Sequence, residues 1–193
     1  MNPREQIFDA VRNHLPAEKI DYPQIPVFQK TITELLPAFE ERLLEAGATF
    51  FLPADLKEAQ QLLVQQHGGG SVICSATPDI KGNRDIRKVK NPHELADVDV
   101  GVIRASFGVA ENGMVWLTEE DLVVNALGFL SQHLVILLKP TALVADMYDA
   151  YVKVSLEDTA YGCFMMGPSA TADIGAVLVH GAQGARSLSV YLV

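Results

Sequence analysis

A glycine-bordered segment, Gly108–Gly113 (Gly-Val-Ala-Glu-Asn-Gly), holds the side chain best suited to chemistry, the carboxylate of Glu111. Its small neighbours would let the backbone approach a ligand closely, and Asn112-Gly113 favours a tight turn. Partial burial there would suit the carboxylate to acid–base or nucleophilic chemistry. The same residues also suit a β-hairpin in which Glu111 faces solvent, because Asn-Gly between apolar runs is a common hairpin signal.

A second segment, Gly167–Asp173 (Gly-Pro-Ser-Ala-Thr-Ala-Asp), offers hydroxyls and backbone amides. Pro168 and Ser169 are favourable at the start of a helix, so the pattern predicts that a helix begins there. The unpaired amides of a first turn can bind an anion, to which the helix dipole contributes about 0.3–1 kcal/mol. The alternative is an ordinary capped helix start that binds no ligand.

Three weaker signals complete the set of candidate residues. Gly181–Gly184 precedes the last apolar run, where its glycines would either pass beside a ligand or form a simple turn. His133 begins an apolar run and is either a ligand-binding residue or a hydrogen-bonded core residue. The basic run Lys81–Lys90 suits either a solvated surface or a phosphate group. The histidines show no metal-ligand spacing, so no metal site is predicted.

Short apolar runs alternating with helical patterns would have to position these side chains. Unalternating apolar strands indicate a sheet covered on both faces, so we predict an α/β fold with a mostly parallel sheet and helices on both faces. Ligands in such folds gather beyond the carboxyl ends of strands, and both glycine segments follow a candidate strand. The predicted strands are 48–52, 71–75, 99–104, 114–118, 133–138, 163–166 and 188–193. The predicted helices of this part are 33–46, 55–66, 122–129 and 142–151.

The N-terminal part has a different character. Asn2 and Pro3 favour a helix that Pro16 ends, and residues 16–30 contain three prolines. We expect these residues to form an extended arm that lies on a surface, such as that of another subunit in a homo-oligomer. The predicted domains are therefore an N-terminal helix and arm, 1–30, and an α/β domain, 31–193.

Composition excludes several classes of protein. The chain has 193 residues, is 49% hydrophobic and carries a net charge of -9. It can therefore bury a core, whereas an acidic chain is poorly suited to bind nucleic acid or an anionic membrane surface. Cys74 and Cys163 are its two cysteines, too few for an iron–sulfur cluster held by this chain. The first residues have no apolar export segment, so we expect a cytoplasmic protein.

Four stretches, taken in order, resemble the lactate-utilisation protein C family, whose shared module is the LUD domain. Gly101–Val115 resembles a family segment that ends in Ala-Glu-Thr-Gly-Thr, and Gln132–Leu137 is similar to its histidine-bearing strand. Gly167–Ile174 and Gly181–Gly184 are similar to its Gly-Pro-Ser-Arg-Thr-Ala-Asp-Ile and His-Gly-Pro elements. The resemblance covers most of residues 31–193.

The resemblance implies a fold like that of sugar-phosphate isomerases and coenzyme A transferases. It also implies a role in oxidising L-lactate to pyruvate with iron–sulfur protein partners, which alone would carry the clusters. The expected ligand is a small organic acid or a phosphorylated metabolite. Glu111 is the predicted catalytic residue. The predicted ligand-binding residues are Gly108, Asn112, Gly113, His133, Gly167, Pro168, Ser169, Thr171, Gly181 and Gly184.

This sequence departs from the family pattern at four positions. Asn112 replaces a threonine, Ala170 an arginine, Gly175 an acidic residue and Gln183 a histidine. Loss of the arginine removes the group best suited to grip a carboxylate. Two alternatives therefore stay open. The first is thioester chemistry, because Ala-Glu-Asn-Gly is similar to the Ser-Glu-Asn-Gly of some coenzyme A transferases; Glu111 of this chain would then be a nucleophile. The second is a non-catalytic adaptor.

Overall fold

The computed structural model describes residues 2–15, 21, 23, 32–155, 159–173 and 175–193. The chain divides into two compact units, Met1–Lys30 and Thr31–Val193. In the first unit, helix α1 (Pro3–His14) begins where the Asn2 side chain accepts a hydrogen bond from the Arg4 amide. The arm predicted for residues 16–30 lies outside the described residues, apart from Asp21 and Pro23.

The second unit alternates strands and helices along most of its length. Its α-helices are α2 (Leu35–Glu45), α3 (Leu56–His67), α4 (Glu119–Leu122), α5 (Leu127–Leu130) and α6 (Met147–Lys153). Its strands are β1 (Thr49–Phe51), β2 (Ile73–Ser75), β3 (Arg84–Asp85), β4 (Val100–Arg104), β5 (Phe107–Val109), β6 (Met114–Thr118), β7 (His133–Leu138), β8 (Leu143–Val144), β9 (Gly162–Met165), β10 (Ala170–Thr171), β11 (Val179–His180) and β12 (Ser187–Leu192). Short 3-10 helices cover Ile86–Lys88, Pro92–Leu95 and Pro140–Ala142.

The main sheet has six parallel strands in the order β1-β12-β7-β4-β2-β3. Successive residues of a strand point to opposite sides of the sheet, and both sides are covered. On β7, Leu134 packs in the cluster that contains Phe39 of α2, whereas Val135 packs with Leu63 of α3. The predicted α/β fold with a mostly parallel sheet and helices is confirmed.

A second sheet was not predicted. It has four strands in the order β8-β5-β6-β9, and its β5–β6 and β6–β9 pairs are antiparallel. Val115 of β6 packs in the same cluster as Phe39, which places this sheet on the α2 side of the main sheet. On its other side the sheet carries an aromatic group, in which the Trp116 and Phe164 rings lie 4.6 Å apart.

Two predicted helices differ from the observed elements. The helix predicted over 122–129 is divided into α4 and α5, because Val123 has a φ of 60°, which a continuing helix does not allow. The helix predicted over 142–151 begins later, at Met147, where the Asp146 side chain caps it. Leu143 and Val144, which precede this cap, pair with β5 instead.

The prediction that a helix begins in the Gly167–Asp173 segment is wrong. Residues 170 and 171 form β10, which pairs antiparallel with β11. The physical reason lies in distant backbone partners. The Ser169 amide donates to the Ala185 carbonyl at 2.8 Å, and the Ser169 carbonyl accepts from the Gly181 amide at 2.9 Å. These bonds hold the segment extended, so no helix dipole is available to an anion at this place.

Within the described residues, no helix combines the length and the apolar character needed to cross a membrane.

Candidate functional site

The segment that contains Glu111 forms the turn of the β5–β6 hairpin. The Gly113 amide donates to the Val109 carbonyl at 2.9 Å, and the Glu111 side chain is exposed. Its carboxylate accepts from the Met147 amide at 3.2 Å, at the beginning of α6. Its own amide donates to the Ala145 carbonyl at 2.9 Å. The described contacts of Glu111 therefore join the hairpin turn to the start of α6.

The two glycine segments approach the same end of α2. Gly113 has a φ of +70°, and a Cβ atom added to it would lie 2.5 Å from the Leu43 backbone nitrogen. Gly167 has a φ of +69°, and a Cβ atom there would meet the Ala46 carbonyl oxygen. Only glycine combines this conformation with such close packing. Both segments are thus positioned by α2, but Glu111 does not line the cavity into which the second segment opens.

That cavity, which we call the motif cavity, has a volume of about 340 Å³. Gly167–Ala170 and Gln183–Ala185 form one wall of it. Apolar side chains form the rest, including Phe129, Leu134 and the residues of β9. Among the described residues that line it, none is Asp, Glu, Lys, Arg or His. The cavity can therefore accept a small molecule but offers no opposite charge to a carboxylate.

Two neutral polar side chains of the motif cavity are available to a ligand. The Ser169 hydroxyl and the Gln183 amide make no hydrogen bond within the part of the chain that is described. Gly184 lets this wall close, because a Cβ atom there would lie 3.1 Å from the Ser169 Cβ atom. Cys163 also lines the cavity, and burial raises the pKa of its thiol.

A second cavity lies on the opposite face of the main sheet. We call it the histidine cavity; its volume is about 500 Å³, and it is lined by Gln66, His67, Gly70, Ser71, Asp99, Gln132, His133, Arg186 and Ser187. His133 and Leu134 are consecutive on β7, so their side chains point to opposite faces. His133 consequently faces α3, away from the motif cavity that Leu134 lines.

A third cavity, of about 340 Å³, lies at the carboxyl ends of β2 and β3, and Lys81, Arg84 and Arg87 of the basic run line it. Arg84 is already engaged there, since its guanidinium contacts the Asp97 carboxylate at 2.6 Å and the Glu94 carbonyl at 2.9 Å. Lys81 and Arg87 are exposed at the same cavity.

Comparison with known proteins decides the family. The sequence profile of the LUD domain matches residues 75–193, which is more than half of the chain. The chain belongs to the LUD domain family. The predicted resemblance is confirmed, and with it a relation to the lactate-utilisation proteins.

One solved structure is similar to this LUD domain protein. It is the crystal structure of a DUF162 family protein from Deinococcus radiodurans, with a TM-score of 0.61 and 18% sequence identity. The match covers 86% of this chain and 99% of that chain, so the two share a fold. No curated protein sequence matches the chain.

The LUD domain fold brings together only part of the predicted ligand-binding set. Gly167, Pro168, Ser169 and Gly184 line the motif cavity. Gly181 supports it through its bond to the Ser169 carbonyl, and Thr171 lies in β10. The remaining members lie elsewhere. Gly108, Asn112 and Gly113 belong to the β5–β6 hairpin, and His133 faces the histidine cavity.

Apart from His133, no residue named above as lining the histidine cavity was predicted as a site residue from the sequence. His67 ends α3, Arg186 precedes β12 and Ser187 begins it. No local spacing relates these positions, because only the parallel pairing of β4, β7 and β12 brings their amino ends together. Among the described residues of this LUD domain, no group of three or more His, Cys, Asp or Glu side chains is arranged to hold a metal ion.

Proposed function

We propose that this LUD domain protein is a non-iron–sulfur subunit or accessory factor in organic-acid utilisation, and that its motif cavity binds a small acid of the lactate class. One observation carries the proposal. Three stretches that resemble family motifs converge on this cavity, through Leu134, through Gly167–Ala170 and through Gln183–Gly184.

The composition of the cavity walls supports a small acid as the ligand. Phe129 and Leu134 offer apolar surface to a short carbon chain. The Ser169 hydroxyl and the Gln183 amide are neutral donors suited to a carboxylate. Neutral donors bind a carboxylate less strongly than an arginine fork does. Since Ala170 stands where the family has arginine, we expect a modest affinity for the acid.

Oxidation of a hydroxy acid to a keto acid releases two electrons, which must pass to an acceptor. A chain with two cysteines cannot itself supply the four thiolates that usually hold an iron–sulfur cluster. The proposal therefore assigns the clusters to partner proteins and acid binding to this chain.

The test is isothermal titration calorimetry with lactate, glycolate and pyruvate on the native protein and on Ser169→Ala. A hydrogen bond to a charged group contributes about 1.5–3 kcal/mol, so the variant should bind about tenfold more weakly or worse. Thr141→Ala is the matched control, because Thr141 is an exposed hydroxyl residue outside the motif cavity.

Cys163 provides an independent readout in the same cavity. A bound acid should slow its alkylation by maleimide, whereas Cys74, which is fully buried elsewhere, should react slowly with or without the acid. If none of the three acids protects Cys163, the motif cavity does not bind this class of ligand.

The alternatives rest on other parts of the chain. Thioester chemistry requires Glu111 as a nucleophile, and this residue lies outside the motif cavity. The adaptor role depends on residues 16–30, most of which lie outside the described residues. No observation in the described structure favours either alternative over acid binding.

A further inference from the structure

The histidine cavity contains chemistry that the proposed acid site does not use. It lies at the amino ends of β4, β7 and β12, and residues from four separate segments contribute to it. His67 comes from α3, Asp99 precedes β4, His133 begins β7 and Arg186 precedes β12. These four are the titratable or charged side chains among the described residues that line the cavity.

The His67 ring has an unsatisfied nitrogen. Its Nε2 atom is buried and has no hydrogen-bond partner within the described residues. A buried polar atom without a partner costs about 1–3 kcal/mol, and His67 is one of the residues that line the cavity. The centre of the His133 ring lies 5.0 Å from that of His67. Burial, and then the proximity of His133, lowers the pKa of His67.

An anion is a suitable ligand for a cavity that two imidazoles line. It can accept hydrogen bonds from imidazole nitrogens, and its charge offsets the mutual repulsion of the protonated rings. The Arg186 side chain is exposed at the same cavity, and no ion pair occupies it within the described part of the chain. A guanidinium offers a planar fork of donors that matches the oxygens of a phosphate.

The other polar groups are arranged for a ligand with hydroxyls. The Gln66 Oε1 atom accepts from the Tyr191 hydroxyl at 2.6 Å, which leaves the Gln66 amide hydrogens free to donate. One Asp99 oxygen accepts from the Val72 amide at 2.7 Å. The second Asp99 oxygen can accept a hydrogen bond from a ligand hydroxyl, but it would repel an anion without hydroxyls placed next to it.

We propose that the histidine cavity binds a small, hydroxylated phosphate ester. Arg186 and the two imidazoles bind the phosphate, and the Asp99 carboxylate accepts a hydrogen bond from a hydroxyl of the carbon skeleton. Ser187 orients the site, because its Oγ atom lies 2.7 Å from the His133 Nδ1 atom and so fixes that ring. This site is separate from the motif cavity and does not depend on the proposed acid binding.

The experiment titrates the full chain with glycerol 3-phosphate by calorimetry and compares Arg186→Gln with Arg87→Gln. Both arginines are exposed, but Arg87 lies at the cavity formed by the basic run. We expect Arg186→Gln to weaken binding at least tenfold and Arg87→Gln to change it less than twofold. Equal affinity of Arg186→Gln and native protein, or a loss confined to Arg87→Gln, would overturn the proposal.

The NMR signals of the histidine imidazoles give a readout that does not depend on a variant. Glycerol 3-phosphate should shift the signals of His67 and His133 and leave those of His14, His93 and His180 unchanged. Inorganic phosphate should bind more weakly, and glycerol alone should cause no shift. Equal affinities of the ester and inorganic phosphate would rule out the Asp99 contact, and unmoved His67 and His133 signals would rule out the site.

Sulfate tests the part played by the imidazoles, because its charge is constant between about pH 6 and pH 8 while that of histidine changes. We expect it to bind more tightly at the lower pH, since an anion favours protonated imidazole. Sulfate binding that does not vary with pH would contradict a contact with the histidines. Throughout, Ser169→Ala should retain glycerol 3-phosphate binding and Arg186→Gln should retain acid binding, so either site can fail alone.

Discussion

The motif cavity and the histidine cavity flank the same two strand beginnings but differ in chemistry. Leu134 and Ala185 line the first, whereas their chain neighbours His133 and Arg186 line the second. On β7 the strand period of two explains the separation, because the side chains of His133 and Leu134 leave the sheet on opposite faces. Ala185 and Arg186 lie just before β12, where the chain has not yet entered the sheet. Adjacent positions of one sequence motif can thus belong to two unrelated sites.

The cavities also differ in what maintains them. The motif cavity depends on backbone conformation, with Gly167 at positive φ and Gly184 pressed against Ser169. The histidine cavity depends on side-chain hydrogen bonds that reach from the core, such as those made by Tyr191 and Ser187. Substitution of a glycine should therefore damage the first cavity, and truncation of a polar side chain should damage the second.

The largest effect is expected from Gly167→Ala, with Gly175→Ala as its control. Both glycines have a φ of +69°, but a Cβ atom on Gly167 meets the Ala46 carbonyl, whereas one on Gly175 meets nothing within 4 Å. Conformational strain and overpacking together should cost Gly167→Ala about 2–5 kcal/mol. Gly175→Ala should lose only the strain, about 1–2 kcal/mol.

Urea denaturation measures both free energies of unfolding. Equal losses in the two variants would show that the contact with Ala46 is unimportant, and would contradict the dependence of the motif cavity on close backbone packing.

Tyr191→Phe should have a smaller effect, on the side of the histidine cavity. Tyr191 is fully buried, and burial raises its pKa to about 12. Its hydroxyl donates to Gln66, so removing the hydroxyl should cost about 0.5–1.5 kcal/mol. Tyr148→Phe is the control, since Tyr148 is 49% exposed and makes no hydrogen bond within the described residues. Equal unfolding midpoints for the two variants would refute the role of this bond.

The sequence predicts the main sheet better than the sites. Within the runs at 99–104 and 133–138, residues 100–103 and 134–138 are apolar without alternation, and both runs form strands buried on two faces. The second sheet was missed because β5 and β8 are very short, and their pairing depends on where the chain returns. Local propensity has no information about such distant partners.

The failure at Gly167 has a similar cause. Pro168 and Ser169 favour the first turn of a helix, but proline and serine are also favoured in turns. The outcome was decided by the partners of Ser169, namely Gly181 and Ala185, which only the folded chain brings near. The pair of His67 and His133 was unpredictable for the same reason, since α3 and β7 meet only through the sheet.

Glu111→Ala tests the region that lines neither of these cavities. Loss of the bond to the Met147 amide at an exposed position should cost about 0.5–1 kcal/mol of stability. Glu120→Ala is the control, because Glu120 is exposed and its side chain has no hydrogen-bond or ion-pair partner among the described residues. Denaturation in urea provides the comparison.

The same residue separates a structural role from thioester chemistry. After incubation with an acyl-coenzyme A, hydroxylamine converts an acylated or thioester-linked glutamate to a hydroxamate that mass spectrometry detects. A modification at Glu111 would show that the carboxylate is a nucleophile, and would move the reactive centre from the motif cavity to the β5–β6 hairpin.

The smallest expected effect is a pH dependence of stability that comes from His67. Burial, and then His133, lowers its pKa in the folded protein from the ordinary value of 6.5, so the unfolded chain binds more protons as the pH falls through 6.5. The contribution of neutral His67 to stability is therefore present above that pH and is lost as the pH falls towards its folded pKa.

The substitution His67→Asn tests this contribution and leaves Asp99, His133 and Arg186, which face the same cavity, unchanged. Between about pH 7.5 and pH 5.5, the free energy of unfolding should thus fall less in His67→Asn than in the native protein, with exposed His180→Asn as the control. Saturating sulfate should reduce the native slope, because an anion that favours protonated imidazoles binds the folded state more tightly at low pH. If neither the substitution nor sulfate alters the native slope, His67 does not contribute to the pH dependence of stability and the anion does not contact it.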